Sequence, residues 1–248
     1  MRLTADIISD VVKFRSVPYH QQLDAEKQLS AECKEAITLI EQGKLSIKDI
    51  STADIREAFI RMATKIEPQF SDDEHCGTVI DTLVKYIRDG GTKGILLRGP
   101  VGTGKTLLLT VFRDLTIYLS RFFLSDDTRI CKHNASISLK PSYEIVSDFA
   151  KFGYEIFEPL MTNIYDYPVF IVDDLGSETQ VNHYGSSTNP IAELILRRYD
   201  TFKKREYITH CSTNLGTKAL QDKYGERIFS RMKEMFNVIN LLGDDRRK

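Results

Sequence analysis

Eight residues, GPVGTGKT at Gly99 to Thr106, combine three glycines, a lysine and a threonine in the spacing G-x-x-x-x-G-K-[ST]. Glycines let a backbone wrap close to phosphate oxygens, and the amides and a helix N-terminus supply positive potential. Lys105 would reach the β- and γ-phosphates of a nucleotide, and Thr106 would offer its hydroxyl to Mg2+. The predicted phosphate cradle is therefore Gly99, Pro100, Val101, Gly102, Thr103, Gly104, Lys105, Thr106 and Leu107. A glycine-rich turn that merely starts a helix is the alternative. A strand before the loop and a helix after it favour the cradle.

A phosphate-bound Mg2+ needs a carboxylate at the end of a neighbouring strand, and VFIVDD at 169–174 supplies one in Asp173. Asp174 follows at once. Side chains alternate along a strand, so both carboxylates cannot address the metal alike. The second is placed to polarise an attacking water. Its alternative reading is a turn cap, since Leu175-Gly176 follow. YITHCSTN ends in Asn214, a polar residue at a strand tip that could hold that water or the γ-phosphate. Near the C-terminus, YGERIFSRM carries Arg227 and Arg231 at i,i+4 spacing, on one helix face. A guanidinium supplied by a neighbouring subunit can complete such a site. Two solvated arginines pairing with Glu226 or Glu234 are the alternative.

These residues need a scaffold, and the chain alternates in the right way from Lys93 onward. KGILLRGP, ASISLKP, PVFIVDD, YITHCSTN and NVINLL read as strands, with helices and short helices between them. One of those helices has Ile145, Phe149 and Phe152 at helical spacing, and another begins at Asn189-Pro190 with Pro190 at the first helical position. Strands alternating with helices imply an α/β parallel sheet covered on both faces. The first third reads as helical. LDAEKQLSAECKEAITLIEQGK puts Leu29, Cys33, Ile37 and Ile40 on one face. DIREAFIRMATKI does the same with Ile55, Phe59, Ala63 and Ile66. A third helix is expected to open with Ser71 and Glu74 in capping-box spacing and to end at Gly90-Gly91. Expected domains are a helical region at 1–70 and a nucleotide-binding domain at 71–248.

The 248 residues are 42% hydrophobic and 28% charged, enough for a soluble globular chain with a core. Lys plus Arg number 34 against 35 Asp plus Glu, so no global basic charge announces nucleic acid, although a local groove would suffice. Cys33, Cys76, Cys131 and Cys211 form no C-x-x-C pair and read as reduced structural thiols, not a zinc site. MRLTADIISD carries Asp6 and Asp10 where a signal peptide would be apolar, and no run spans a bilayer. A cytoplasmic protein without a membrane partner is expected.

The order GPVGTGKT, VFIVDDLG, CSTNL and YGERIFSRM resembles the AAA+ ATPases of the DnaC/IstB group, over roughly residues 75 to 242. That group comprises bacterial helicase loaders and transposition helper ATPases. DDLG has Asp where most AAA+ proteins have Glu, and with STNL and YGxRxxSRM it is more specific than the glycine loop alone. The resemblance implies the three-layer αβα P-loop NTPase fold. It implies an ATP- and Mg2+-dependent ATPase in which Thr106 and Asp173 bind Mg2+ and Asp174 is catalytic. Asn214 would be sensor 1, and Arg231, with Arg227 beside it, the finger acting on a neighbour in a homo-oligomer. Most AAA+ modules continue into a helical lid. Little chain follows Leu242, so none is expected. The partner implied is a replicative helicase or a transposase, docked by the N-terminal region, with single-stranded DNA in the centre of the oligomer. Lys132, His133, Lys140 and the RRYDTFKKR segment, with Arg197, Arg198, Lys203, Lys204 and Arg205, are candidate DNA contacts, against the alternative of a solvated face. A small-molecule P-loop kinase and a nucleotide-regulated interaction module with little turnover are the competing classes.

Overall fold

The computed structural model describes residues 3–16, 19–122, 137–158, 169–183 and 186–246. Contacts among these residues gather those of 3–90 and 111–122 into one compact unit and those of 91–110 and 137–246 into another. The helix that follows position 71 thus counts with the N-terminal helices.

In the first unit, α1 (Ala5–Ser16), α2 (Tyr19–Lys27), α3 (Ala31–Glu41), α4 (Thr52–Ile66) and α5 (Glu74–Asp89) are helical. The single helix expected from LDAEKQLSAECK is instead two. Ser30 takes an extended backbone and its hydroxyl accepts from the Cys33 N–H, starting α3 afresh. Cys33, Ala36 and Ile40 bury the inner face of α3; Ile55, Phe59 and Ala63 do the same for α4. Ile66, expected on that face, stands 47% exposed because α4 ends there. The capping box at Ser71 does not form. Asp73 is the N-cap of α5, and its carboxylate accepts from the Cys76 N–H. Asp72 is drawn to Arg56 of α4 instead, and Arg56 also bonds Asp81 on α5.

The second unit is built on a five-stranded parallel sheet: β1 (Gly94–Arg98), β2 (Ser138–Pro141), β3 (Val169–Asp173), β6 (Ile208–Thr213) and β7 (Phe236–Asn240), in the order β2-β3-β6-β1-β7. A separate antiparallel pair, β4 (Val181–His183) and β5 (Ser186–Thr188), lies between β3 and the next helix in sequence. The strands read as continuous apolar runs because both faces are covered: Phe170, Ile171 and Val172 are all at 0% exposure. Helices α6 (Lys105–Phe122), which belongs to this unit only as far as Thr110, α7 (Ser142–Phe152), α8 (Pro190–Arg205) and α9 (Thr217–Met235) follow the strands, with a 3-10 turn at Gly153–Phe157. Pro190 occupies the first position of α8, and the Asn189 side chain accepts from the Ile191 and Ala192 amides. Phe149, Phe157, Phe170, Ile195 and Met232 meet in one core, while Phe152 turns outward.

Arg198 corrects an expectation. It is fully buried, with Nε donating to Thr209 Oγ1 at 2.8 Å and Nη2 to the Ile208 carbonyl at 2.7 Å. Burial lowers its pKa to about 10, so it stays charged at neutral pH. It fastens α8 to the start of β6 and offers nothing to DNA.

Candidate functional site

Parallel sheets bind ligands at the carboxyl ends of their strands. Here the register brings three ends together. Leu96 stands beside Cys211 and Arg98 beside Thr213, and Val172 stands beside Cys211 from the other side. One step further along, Asp173 at the end of β3 meets Ser212 of β6, and the loop after β1 starts at Gly99, whose N–H donates to the Thr213 carbonyl.

The Gly99–Thr106 loop joins β1 directly to α6, which begins at Lys105. Gly102 and Gly104 take φ of 79° and 95°, values that a side chain would oppose. Thr103 is buried and ties the loop to itself through the Pro100 carbonyl at 2.9 Å. Lys105 is only 5% exposed, and its ammonium donates to the carbonyls of Gly99 and Pro100 at 2.9 and 2.7 Å. Val101, half exposed, lies at the outer rim.

Thr106 Oγ1 donates to Asp173 Oδ2 at 2.7 Å. Thr106 comes from the sequence motif of one element and Asp173 from that of another, 67 residues on, and the fold puts them in contact. The other Asp173 oxygen accepts from Ser212 Oγ. Ser212 Oγ also accepts from the Asp174 N–H at 2.8 Å, so one hydroxyl bridges the two aspartates. Asp174 leaves the strand with φ 54°, a left-handed conformation that Asp tolerates better than most residues. Its backbone carbonyl accepts from Ser142 Oγ and Ser177 Oγ. The pair therefore divides: Asp173 is buried among hydroxyls and Asp174 is exposed.

Asn214 follows β6 directly and is exposed. Beside it, Thr213 donates to the Leu175 carbonyl at 2.6 Å and accepts from the Leu215 N–H, locking the tip of β6 to the turn after β3. Gly176 belongs to that turn. Its φ of 98° is a backbone conformation that residues with a side chain rarely adopt, which accounts for the glycine of DDLG.

The two arginines sit apart from this cluster in sequence, on the second half of α9, which breaks at Gly225. Arg227 is exposed. The Arg231 guanidinium lies 5.0 Å from the centre of the Tyr199 ring. Glu234, considered as a partner for them, instead accepts from Tyr199 and Lys203. Among the candidate DNA contacts, Lys140 pairs with Asp148 and Arg197 with Glu193, while Lys204 and Arg205 are exposed. Lys132 and His133 lie outside the described residues, as does Cys131; Cys33, Cys76 and Cys211 are buried free thiols.

Sequence reading missed Ser212 and Glu178. The Glu178 carboxylate is buried, accepting from the Gly176 N–H at 2.8 Å and from the Tyr224 hydroxyl at 2.6 Å. The signal for Ser212 was its place between Asp173's neighbour strand and Asn214; Glu178 carried none beyond its charge.

The donor set fits a nucleotide with its metal. A glycine loop with a buried ammonium, and a hydroxyl already paired with a carboxylate, are the groups that phosphates and a hard divalent cation take.

No family model matches the sequence, and no curated protein does. Two solved structures share the fold. The crystal structure of the DnaC helicase loader is 17% identical, with a TM-score of 0.51, over 71% of this chain and 95% of that one. The crystal structure of DnaI is 19% identical, with a TM-score of 0.50, over 73% of this chain and 89% of that one. These likenesses establish the fold, an α/β P-loop architecture shared with those two structures.

Proposed function

We propose that this chain is an ATPase that binds ATP with Mg2+, hydrolyses it, and serves DNA replication by loading the replicative helicase. The contact between Thr106 Oγ1 and Asp173 Oδ2 carries the reading, because it joins the phosphate loop to the carboxylate that a phosphate-bound metal requires. Lys105 and the amides of Gly99 to Leu107 hold the phosphates. Thr106 and Asp173 are the residues that would hold Mg2+, which when bound neutralises phosphate charge. Asp174, exposed to solvent where Asp173 is buried, takes the proton of the attacking water. Asn214 orients that water. Arg231, with Arg227 beside it, completes the site of a neighbouring subunit.

The likeness to a structure described as a helicase loader supports the replication role. Residues 1–70 are the proposed docking region for the helicase and 71–248 the ATPase domain. Lys204 and Arg205, both exposed, are proposed contacts for single-stranded DNA. The test is ATP turnover by the purified protein with and without single-stranded DNA, joined to a pull-down of the replicative helicase from the same cell. Turnover that responds to DNA, with helicase retained, is the expected result. Nucleotide binding with negligible turnover would favour an interaction module, and retention of a transposase would move the protein to transposition.

A further inference from the structure

A carboxylate is an expensive group to bury unless its oxygens are satisfied. Glu178 is buried nonetheless, its side chain wholly inaccessible. Its oxygens are satisfied from two directions. Gly176 N–H, in the turn that begins with Asp174, donates to Oε2 at 2.8 Å. The Tyr224 hydroxyl donates to Oε1 at 2.6 Å. Lys223 adds its ammonium 3.7 Å from Oε1 and donates to the Glu178 backbone carbonyl at 2.7 Å. Burial, and then the nearby carboxylate charge, push the Tyr224 hydroxyl far above its usual range, so the phenol remains a donor.

The position of Tyr224 gives the contact its meaning. It is the last residue before α9 breaks at Gly225, where φ is 77° and ψ 161°. Arg227 and Arg231 lie just beyond the break. Hydrogen bonds thus run from the turn of Asp174 through one buried carboxylate to the residue from which the arginine helix departs. An apolar side chain could fill the same space but would leave that departure point free to slide, since apolar contacts have no direction.

We propose that Glu178 is a positioning residue, which couples the turn carrying Asp174 to the helix carrying Arg227 and Arg231, so that a subunit's own active-site turn sets the arginines it presents to its neighbour. This rests on the reading of that turn and that helix given above.

The test uses the full-length protein with Tyr224→Phe, and Glu178→Gln as a second variant should the first fail to fold. Gln keeps an acceptor for Tyr224 but turns a donor or a weaker acceptor toward Gly176. ATP affinity should stay within about twofold, since no phosphate contact changes, while turnover falls about a hundredfold, the effect of misplacing a catalytic group by about an ångström. Amide exchange should rise together in 174–178 and 226–231 and stay unchanged in 99–106. Mixing the variant with Asp174→Asn should restore part of the turnover, because the second protein lends an unperturbed arginine helix to the first protein's site, which keeps its Asp174 carboxylate. Wild-type turnover in the variants, exchange rising in only one of the two segments, or no recovery in a mixture where Arg231→Ala does recover, would overturn the coupling. Absence of ATP hydrolysis by the unaltered protein would instead overturn the ATPase reading, and the exchange result would still decide whether the two segments are linked.

Discussion

Lys105 and Ser212 show how differently two residues of one site speak from the sequence. Lys105 sits in a pattern whose spacing points to a phosphate cradle, and its buried ammonium donates to two carbonyls of the loop. Lys105→Ala should weaken ATP binding about a hundredfold, the loss of a charge-assisted contact to phosphate. Equilibrium titration with a fluorescent ATP analogue measures this. Ser212 was legible only as part of a strand. Its role comes from the register of β3 against β6, which sets Val172 beside Cys211 and so brings Asp173 to Ser212. Register is a long-range property, fixed by packing of the whole sheet. Ser212→Ala would leave Asp173 and the Asp174 N–H each short of one partner. A destabilisation of about 1–3 kcal/mol is expected, read from urea unfolding. Unfolding at the wild-type midpoint would remove Ser212 from the account.

Among the elements, those with strong patterns were readable: the five strands of the sheet, Pro190 opening α8, and the short helices before β7 that appear as α9 broken at Gly225. Others were decided by competition. Ser30 splits one apolar pattern into two helices, and Asp73 wins the cap of α5 because Arg56 takes its neighbour Asp72. The β4–β5 pair has no apolar alternation to announce it. Strand β6 carries a testable burden of its own. His210 is fully buried and its Nδ1 accepts from the Ile95 N–H of β1 at 3.1 Å, so the ring must stay neutral. Burial, and then the nearby Arg198 charge, lower its pKa to about 3 from an ordinary 6.5. Between those values the unfolded chain binds a proton that the folded chain refuses. Stability is therefore complete above about pH 6.5 and falls as pH drops toward 3. Unfolding midpoints of the protein and of His210→Asn, compared from pH 7 to pH 4, should show a shallower acid loss in the variant. Equal slopes would contradict the assignment.

At the scale of the whole molecule, the compact unit that holds α1 to α4 holds α5 as well, past the proposed boundary at residue 70. Arg56 of α4 bonds Asp72 and Asp81 across that position. The proposed partnership between subunits rests on the spacing of Arg227 and Arg231. Arg231→Ala should bind ATP normally and lose about a thousandfold in turnover. Mixed with Asp174→Asn, it should recover activity, since some interfaces then pair an intact site with an intact arginine. No recovery, with oligomers shown to form, would place the arginine's action within its own subunit. The central claim rests on a smaller change. Asn adopts the left-handed backbone of position 174 as readily as Asp and loses only the capacity to accept a proton. The decisive measurement is ATP binding and hydrolysis by Asp174→Asn beside the unaltered protein. The account predicts that the variant binds ATP within about twofold of normal and hydrolyses it at least about a hundredfold more slowly. Hydrolysis by the variant at the unaltered rate would contradict it.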